Sequence, residues 1–166
     1  MSAPLALTSE EVADLVGDWV EGVVGVTTID AWPNADAPAE PYVVVMRTIS
    51  DRVMAPPAGQ DFVEQGGKII QVPLAETYYR FTIDAFGEDA ESYLRRIVAA
   101  ADVPTAMWPL RPLILFETSR IVTETEIRDQ IFQGRAHMTI EARGIPRLGF
   151  PINVIESQSP EFEPVD

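Results

Sequence analysis

The 166-residue chain carries 26 acidic and 12 basic side chains, a formal net charge of −14, with 46% hydrophobic residues and no cysteine. That length suffices for one domain with a core that needs no staples, and that hydrophobic content excludes disorder by composition. The charge opposes tight nucleic-acid binding, which depends on neutralising phosphates, and the missing cysteines exclude disulfides, thiol nucleophiles and thiolate zinc sites.

No apolar run approaches the roughly 20 residues of a membrane-spanning helix, so no membrane partner is expected. The start, Met1-Ser2-Ala3-Pro4-Leu5, lacks a basic region followed by an apolar one and does not read as a secretion signal, which points to synthesis in a cytoplasm.

Thr8-Ser9-Glu10-Glu11 has capping-box spacing, and Val12, Leu15, Val16, Trp19, Val20 and Val23 follow as one helical stripe ending near Gly22–Gly25. Ile29–Pro41, punctuated by Pro33, Pro38 and Pro41, reads as a surface loop. The run Tyr42–Ile49 reads as a central strand covered on both faces. Ser50–Pro73 reads as an extended arm or a hairpin with sides Asp61–Glu64 and Lys68–Val72; loops of that length are usually functional or mobile. In Tyr78–Phe86, Tyr79, Phe81, Ile83 and Ala85 alternate with polar residues, predicting a strand that breaks at Gly87.

An amphipathic helix over Glu88–Asp102 follows, burying Ala90, Tyr93, Leu94, Ile97, Val98 and Ala101. Its opening acids Glu88, Asp89 and Glu91, and Arg95 and Arg96 further along, suit the helix dipole. Pro104, Pro109 and Pro112 mark an irregular link containing Met107 and Trp108. Leu113–Glu124 and Gln130–Arg143 read as an antiparallel pair joined by a short polar turn, and Ile145–Asp166 as a tail with a short strand at Ile152–Ile155. The expected fold is a single α+β domain, a mixed, mostly antiparallel sheet packed with two amphipathic helices.

Catalytic chemistry is hard to find. Gly66-Gly67-Lys68 lacks Walker spacing, and no G-x-S-x-G elbow occurs. His137 falls on an outward row with Gln133, Arg135, Thr139 and Glu141, where no nucleophile or orienting partner stands in a known pattern, so it reads as a strand-surface residue. The close carboxylate pairs Glu88/Asp89 and Glu124/Glu126 fall at a helix start and in a turn and need no metal. No catalytic residue, cofactor or metal site is assigned, and the reading is of a protein that is not an enzyme. A small hydrolase using carboxylates or His137 is the alternative from another class. Eleven arginines stand against one lysine, Lys68. Arginine is preferred in bidentate pairs and at interfaces, though a GC-rich genome gives the same bias. Arg80 and Arg135 stand out because each lies mid-strand on a polar row, where an acid from a neighbouring subunit could meet it.

Three stretches together resemble phage neck and tail-terminator proteins: Pro41-Tyr42-Val43 opening a strand, Phe86-Gly87 leading straight into an amphipathic helix, and a closing strand with Phe132 and Arg135-Ala136, followed by Ile152-Asn153-Val154-Ile155-Glu156. Phe132 stands where the family pattern suggests tryptophan. The resemblance covers most of residues 8–156 and implies a tail-terminator-like fold. It also implies a virion role at the head–tail junction: a ring homo-oligomer, usually a hexamer, that terminates the tail tube and joins it to the head–tail connector and adaptor proteins. DNA would pass through the acidic lumen without specific binding. A head-completion or connector adaptor of the neck is the nearest alternative. On this reading residues 1–156 form the domain, with an arm at about 50–73, and 157–166 an acidic tail. The residues expected at a subunit or tail interface are Arg52, Asp61, Glu64, Lys68, Arg80, Arg135 and Phe162.

Overall fold

Thr8 starts the fold. Its hydroxyl accepts the Glu11 backbone N–H at 3.2 Å while the Glu11 carboxylate accepts the Thr8 N–H at 2.6 Å, closing the capping box. The computed structural model describes residues 8–30, 37–53, 59–128, 131–145 and 150–152. Helix α1 (Ser9–Val24) follows from that cap and ends at Gly25, left-handed at φ 73°, whose N–H bonds the Glu21 carbonyl at 2.8 Å. Val12, Val16, Trp19, Val20 and Val24 are buried, and Leu15 and Val23 flank them.

The elements then run β1 (Thr27–Asp30), β2 (Tyr42–Arg52), β3 (Gly59–Gln65), β4 (Lys68–Leu74), β5 (Thr77–Phe86), α2 (Ala90–Ala101), a 3-10 turn (Trp108–Leu110), β6 (Ile114–Thr118), β7 (Val122–Arg128), β8 (Ile131–Gly144) and β9 (Phe150–Ile152). Six strands form one sheet in the order β1-β2-β5-β8-β6, with β7 also on β8; β3, β4 and β9 form a second, three-stranded sheet. Among the described residues all pairings are antiparallel except β1 with β2. The fold is α+β, as the alternation of periods predicts.

Both helices lie on one face of the large sheet. Along β5, Tyr79, Phe81, Ile83 and Ala85 are buried; opposite them on β8, Ala142, Ile140, Met138 and Ala136 are buried as well. Leu94 and Ile97 of α2 complete the core with the α1 stripe, whereas Tyr93, Val98 and Ala101 are only partly covered. Two polar bonds fix the helices. The Trp19 indole N–H donates to the Ala106 carbonyl at 2.8 Å, tying α1 to the link after α2. Arg96 donates to the Val24 carbonyl at 2.9 Å, so it closes the C-terminal end of α1 and not that of its own helix.

Several expectations need correction. Thr27–Asp30 is a strand, so the loop does not begin at Ile29. β2 is buried only over its first residues, Tyr42, Val43 and Val45, and runs out exposed to Arg52; Ser50–Arg52 therefore belong to the main sheet and not to the arm. The arm itself is the hairpin Gly59–Leu74, turning at Gly66 and Gly67, which both have positive φ. Glu88 and Asp89 precede α2; Asp89 makes no side-chain cap bond. The stretch from Leu113 to Glu124 is two strands separated at Ser119–Ile121. Glu124 and Glu126 are in β7, opposite Arg135 and Gln133, and not in a turn. The last short strand falls at Phe150–Ile152; residues 153–155 of the expected strand, and the 157–166 tail, lie outside the described residues.

The β5–α2 corner turns on Gly87, at φ 117°, whose N–H donates to the Gly134 carbonyl at 3.0 Å. The backbones approach so closely that a Cβ on Gly134 would lie 2.6 Å from the Gly87 carbonyl oxygen. Gly134→Ala is therefore expected to lower stability by about 1–3 kcal/mol, read as a fall in Tm. Gly22→Ala, a helical position with nothing within 4 Å of the added carbon, should instead hold or raise Tm.

Candidate assembly surfaces

Because both helices cover the same side, the opposite face of the six-stranded sheet has no element of secondary structure over it among the described residues. Strand alternation places Tyr78, Arg80, Thr82, Asp84 and Phe86 of β5 on that face, with Arg143, Glu141, Thr139, His137 and Arg135 opposite them on β8. All but Arg143 are only half-buried, since a bare sheet shields its own stems.

Charge on this face is matched within the chain. Arg80 meets Glu141 at 2.7 Å and Arg135 meets Asp84 at 2.8 Å. The acids facing these two arginines thus come from neighbouring strands of the same subunit, where the sequence suggested a neighbouring subunit. The Arg135 guanidinium also stands 5.5 Å from the centre of the Phe86 ring, which stacks on Tyr42 at 4.8 Å. Tyr78 bridges toward the sheet edge, 6.1 Å from Phe116, with Arg143 4.9 Å from the Phe116 ring. His137 lies on this row with Arg135, Thr139 and Glu141, as its spacing predicts, and pairs in register with Asp84 and Val122. The carboxylate it faces, Asp84, is engaged by Arg135.

The Tyr78 hydroxyl, and after it the Arg80 guanidinium, hold the Glu141 carboxyl below the usual glutamate range against the opposing pull of partial burial. Burial and the bond to Glu141 push the Tyr78 hydroxyl up.

The second surface is the arm. Asp61 and Glu64 are exposed on β3, and Lys68, also exposed, begins β4 just after the Gly66-Gly67 turn. Alternation puts Phe62 and Glu64 on one face and Asp61 and Lys68 on the other. The Asp61 carboxylate accepts the Phe62 backbone N–H at 2.8 Å, and Gln71 donates to Gln60 across the hairpin. Phe62 is 56% exposed, an apolar side chain with no local pattern to single it out. Arg52 is exposed at the end of β2, opposite Thr77, where the chain passes from body to arm. The predicted interface residues are thus split between the bare face (Arg80, Arg135) and the arm and its root (Arg52, Asp61, Glu64, Lys68). Phe162 lies outside the described residues.

A third feature, an exposed apolar rim at Trp108, Ile114 and Phe116, was missed. Its one sequence signal is the alternation of Ile114 and Phe116 with Leu113 and Leu115, of which only the latter pair turns inward.

Among the described residues no cluster of side chains is able to hold a metal ion. The family profile described as phage neck terminator protein matches residues 10–164. The chain belongs to that family. It is a structural virion protein of the bacteriophage neck, a tail terminator by family, and its family associates with other head and tail proteins of the phage. No curated protein matches it. Among the described residues no helix is long and apolar enough to cross a membrane.

On the far side of the molecule, burial and then the charges of Asp14 and Asp18 raise the Asp30 carboxyl above its ordinary value. Two opposite pH effects follow. For Glu141, whose folded pKa is depressed, the stabilisation is present above the unfolded pKa and is lost as pH falls through the folded one. Glu141→Gln should thus lower Tm at pH 7, with the gap to the parent closing in acid. For Asp30, whose folded pKa is raised, stability is fully present below the unfolded pKa and lost as pH rises through the folded one. Asp30→Asn should raise Tm at pH 7 and change it little at pH 3. Thermal melts of the three proteins across pH 3–7 check both signs.

Proposed function

We propose that this neck protein closes into a ring, six copies in the reading its family suggests, which caps the finished tail tube at the head–tail junction and joins it to the connector. The observation that carries this reading is the separation of two unlike surfaces on one subunit, the bare sheet face and the arm. A closed ring needs heterologous contacts between different patches of identical subunits, and a surface left over to meet the tube. Arg80 and Arg135 lie where a neighbour would pack, and Arg52, Asp61, Glu64 and Lys68 where the arm would reach the tube or the next copy.

Charge supports the same reading. Copies that each carry −14 repel DNA phosphates, so a lumen lined by them would let the genome slide past without retaining it. The two mid-sheet carboxylates, Asp84 and Glu141, are each held by an arginine of the neighbouring strand, which supports a structural use of this face.

The deciding experiment is cryo-electron microscopy of the particle that encodes the chain. The expected result is a six-fold ring of this domain seated on the last ring of tube subunits. A chain found only against the portal would make it a head-side adaptor, and absence from the particle would overturn the structural role. Replacing Gly59–Leu74 by a short linker should leave a folded body whose rings no longer seat on the tube.

A further inference from the structure

The two ends of the six-stranded sheet differ in chemistry. Arg52 pairs with Thr77, Thr77 with Gly144, and Arg143 with Ile114. Those pairings gather the end of β2, the start of β5, the end of β8 and the start of β6 at one end of the sheet. The arm leaves the body there, its root held by the Val53 N–H, which donates to the Glu76 carbonyl at 2.9 Å. Ile114 at this end is 67% exposed, and Val53, Phe116 and Ile145 are exposed as well. A groove of about 460 Å³ continues the apolar surface from Ile114 past Pro112 and Met107 to Trp108, itself 59% exposed. Exposed apolar surface of this kind marks an interaction site.

Arginines bracket it. Arg52 ends β2 on one side; on the other the Arg111 guanidinium stands 5.9 Å from the Trp108 ring centre, and that of Arg143 4.9 Å from Phe116. Arg143 lies 3.7 Å from Glu76, whereas Arg52 and Arg111 make no ion pair among the described residues. Asp51 and Glu117 are exposed on the same strand ends, and Asp102 leads into the link. At the far end Tyr42 pairs with Phe86, and the residues flanking that pair in the chain include the exposed acids Glu40, Glu88 and Asp89. Among the described residues no large exposed hydrophobic side chain falls there.

We infer that the arm-root end of the sheet is the surface that seats on the last ring of the tail tube. Trp108 and Ile114 receive apolar side chains of the tube protein, and Arg52 and Arg111 its carboxylates. The inference rests on the ring reading and adds which end of the subunit meets the tube. The tube is the partner because the arm, the docking element of that reading, projects from this same end, so that arm and groove engage one surface. Glu40, Glu88 and Asp89 repel the same carboxylates, which fixes the polarity of docking.

The test uses tail tubes assembled in cells that lack this chain, to which the purified chain is added, and complete particles beside them. p-Benzoylphenylalanine replaces Ile114 in one sample and Glu88 in another, and the adducts formed on irradiation are mapped by mass spectrometry. Adducts from position 114 to the tube protein, and none from position 88, are expected. Adducts from position 114 to a connector protein or to another copy of this chain, no adduct from it, or adducts from position 88 to the tube overturn the inference. Arg111→Glu, checked for an unchanged Tm, should weaken binding to the tubes about tenfold, the scale of one lost hot-spot contact, while Glu88→Gln leaves it unchanged. Equal binding by Arg111→Glu and the parent also overturns it. Electron micrographs of the same samples separate the two readings. Parent rings on tubes whose position 114 crosslinks elsewhere leave the ring standing and remove this inference; no parent ring on the tubes removes the ring reading itself.

Discussion

The register of β5 against β8 is the constraint on which the rest of the molecule depends. It sets Tyr79, Phe81, Ile83 and Ala85 beside Ala142, Ile140, Met138 and Ala136 on the helix-covered side. A slip of one residue would turn the buried set of one of the two strands to the bare face and bring its charged residues, Arg80 and Asp84 or Arg135 and Glu141, under α1 and α2. The same register creates the Arg80–Glu141 and Arg135–Asp84 contacts on the outside. Burial on one face and charge matching on the other thus reinforce a single pairing. The Gly87–Gly134 approach adds a third lock at the corner where β5 hands over to α2.

Periodicity explains how far the sequence could be read. The α1 stripe, the strict alternation of Tyr78–Phe86 and the amphipathic helix after Gly87 are local signals, and their elements form where the pattern puts them. β1 escaped because Thr27–Asp30 is only four residues long and is stabilised by parallel pairing with a strand that starts at Tyr42, information absent from its own neighbourhood. The division of β6 from β7 was hidden for a similar reason, since both lean on one long strand, β8, and no glycine or proline lies between them.

The surfaces were less legible than the core. That Arg80 and Arg135 sit on a polar row follows from alternation, but the identity of the acids they meet depends on which residues of β8 fall beside β5. Exposure of Trp108 is likewise a tertiary fact. A tryptophan in a proline-rich link reads equally well as a core plug, and it is Trp19, not Trp108, that fills that role here. The family placement gives these surfaces their meaning, because a neck subunit spends its working life in contact with others.

The arm illustrates what such a life requires. Among its described side chains Val72 alone is buried, and it does not join the main core. One buried aliphatic contributes roughly 1.5–3 kcal/mol, little against the entropy of holding three strands together. As the docking element proposed above, the arm would therefore be a weak partner in solution and a strong one only where a second wall of protein is already in place. Timing would then be built into the architecture: copies of the free subunit would have small incentive to associate early, and the finished tube would act as its own trigger, with no chemical signal needed to start the last step.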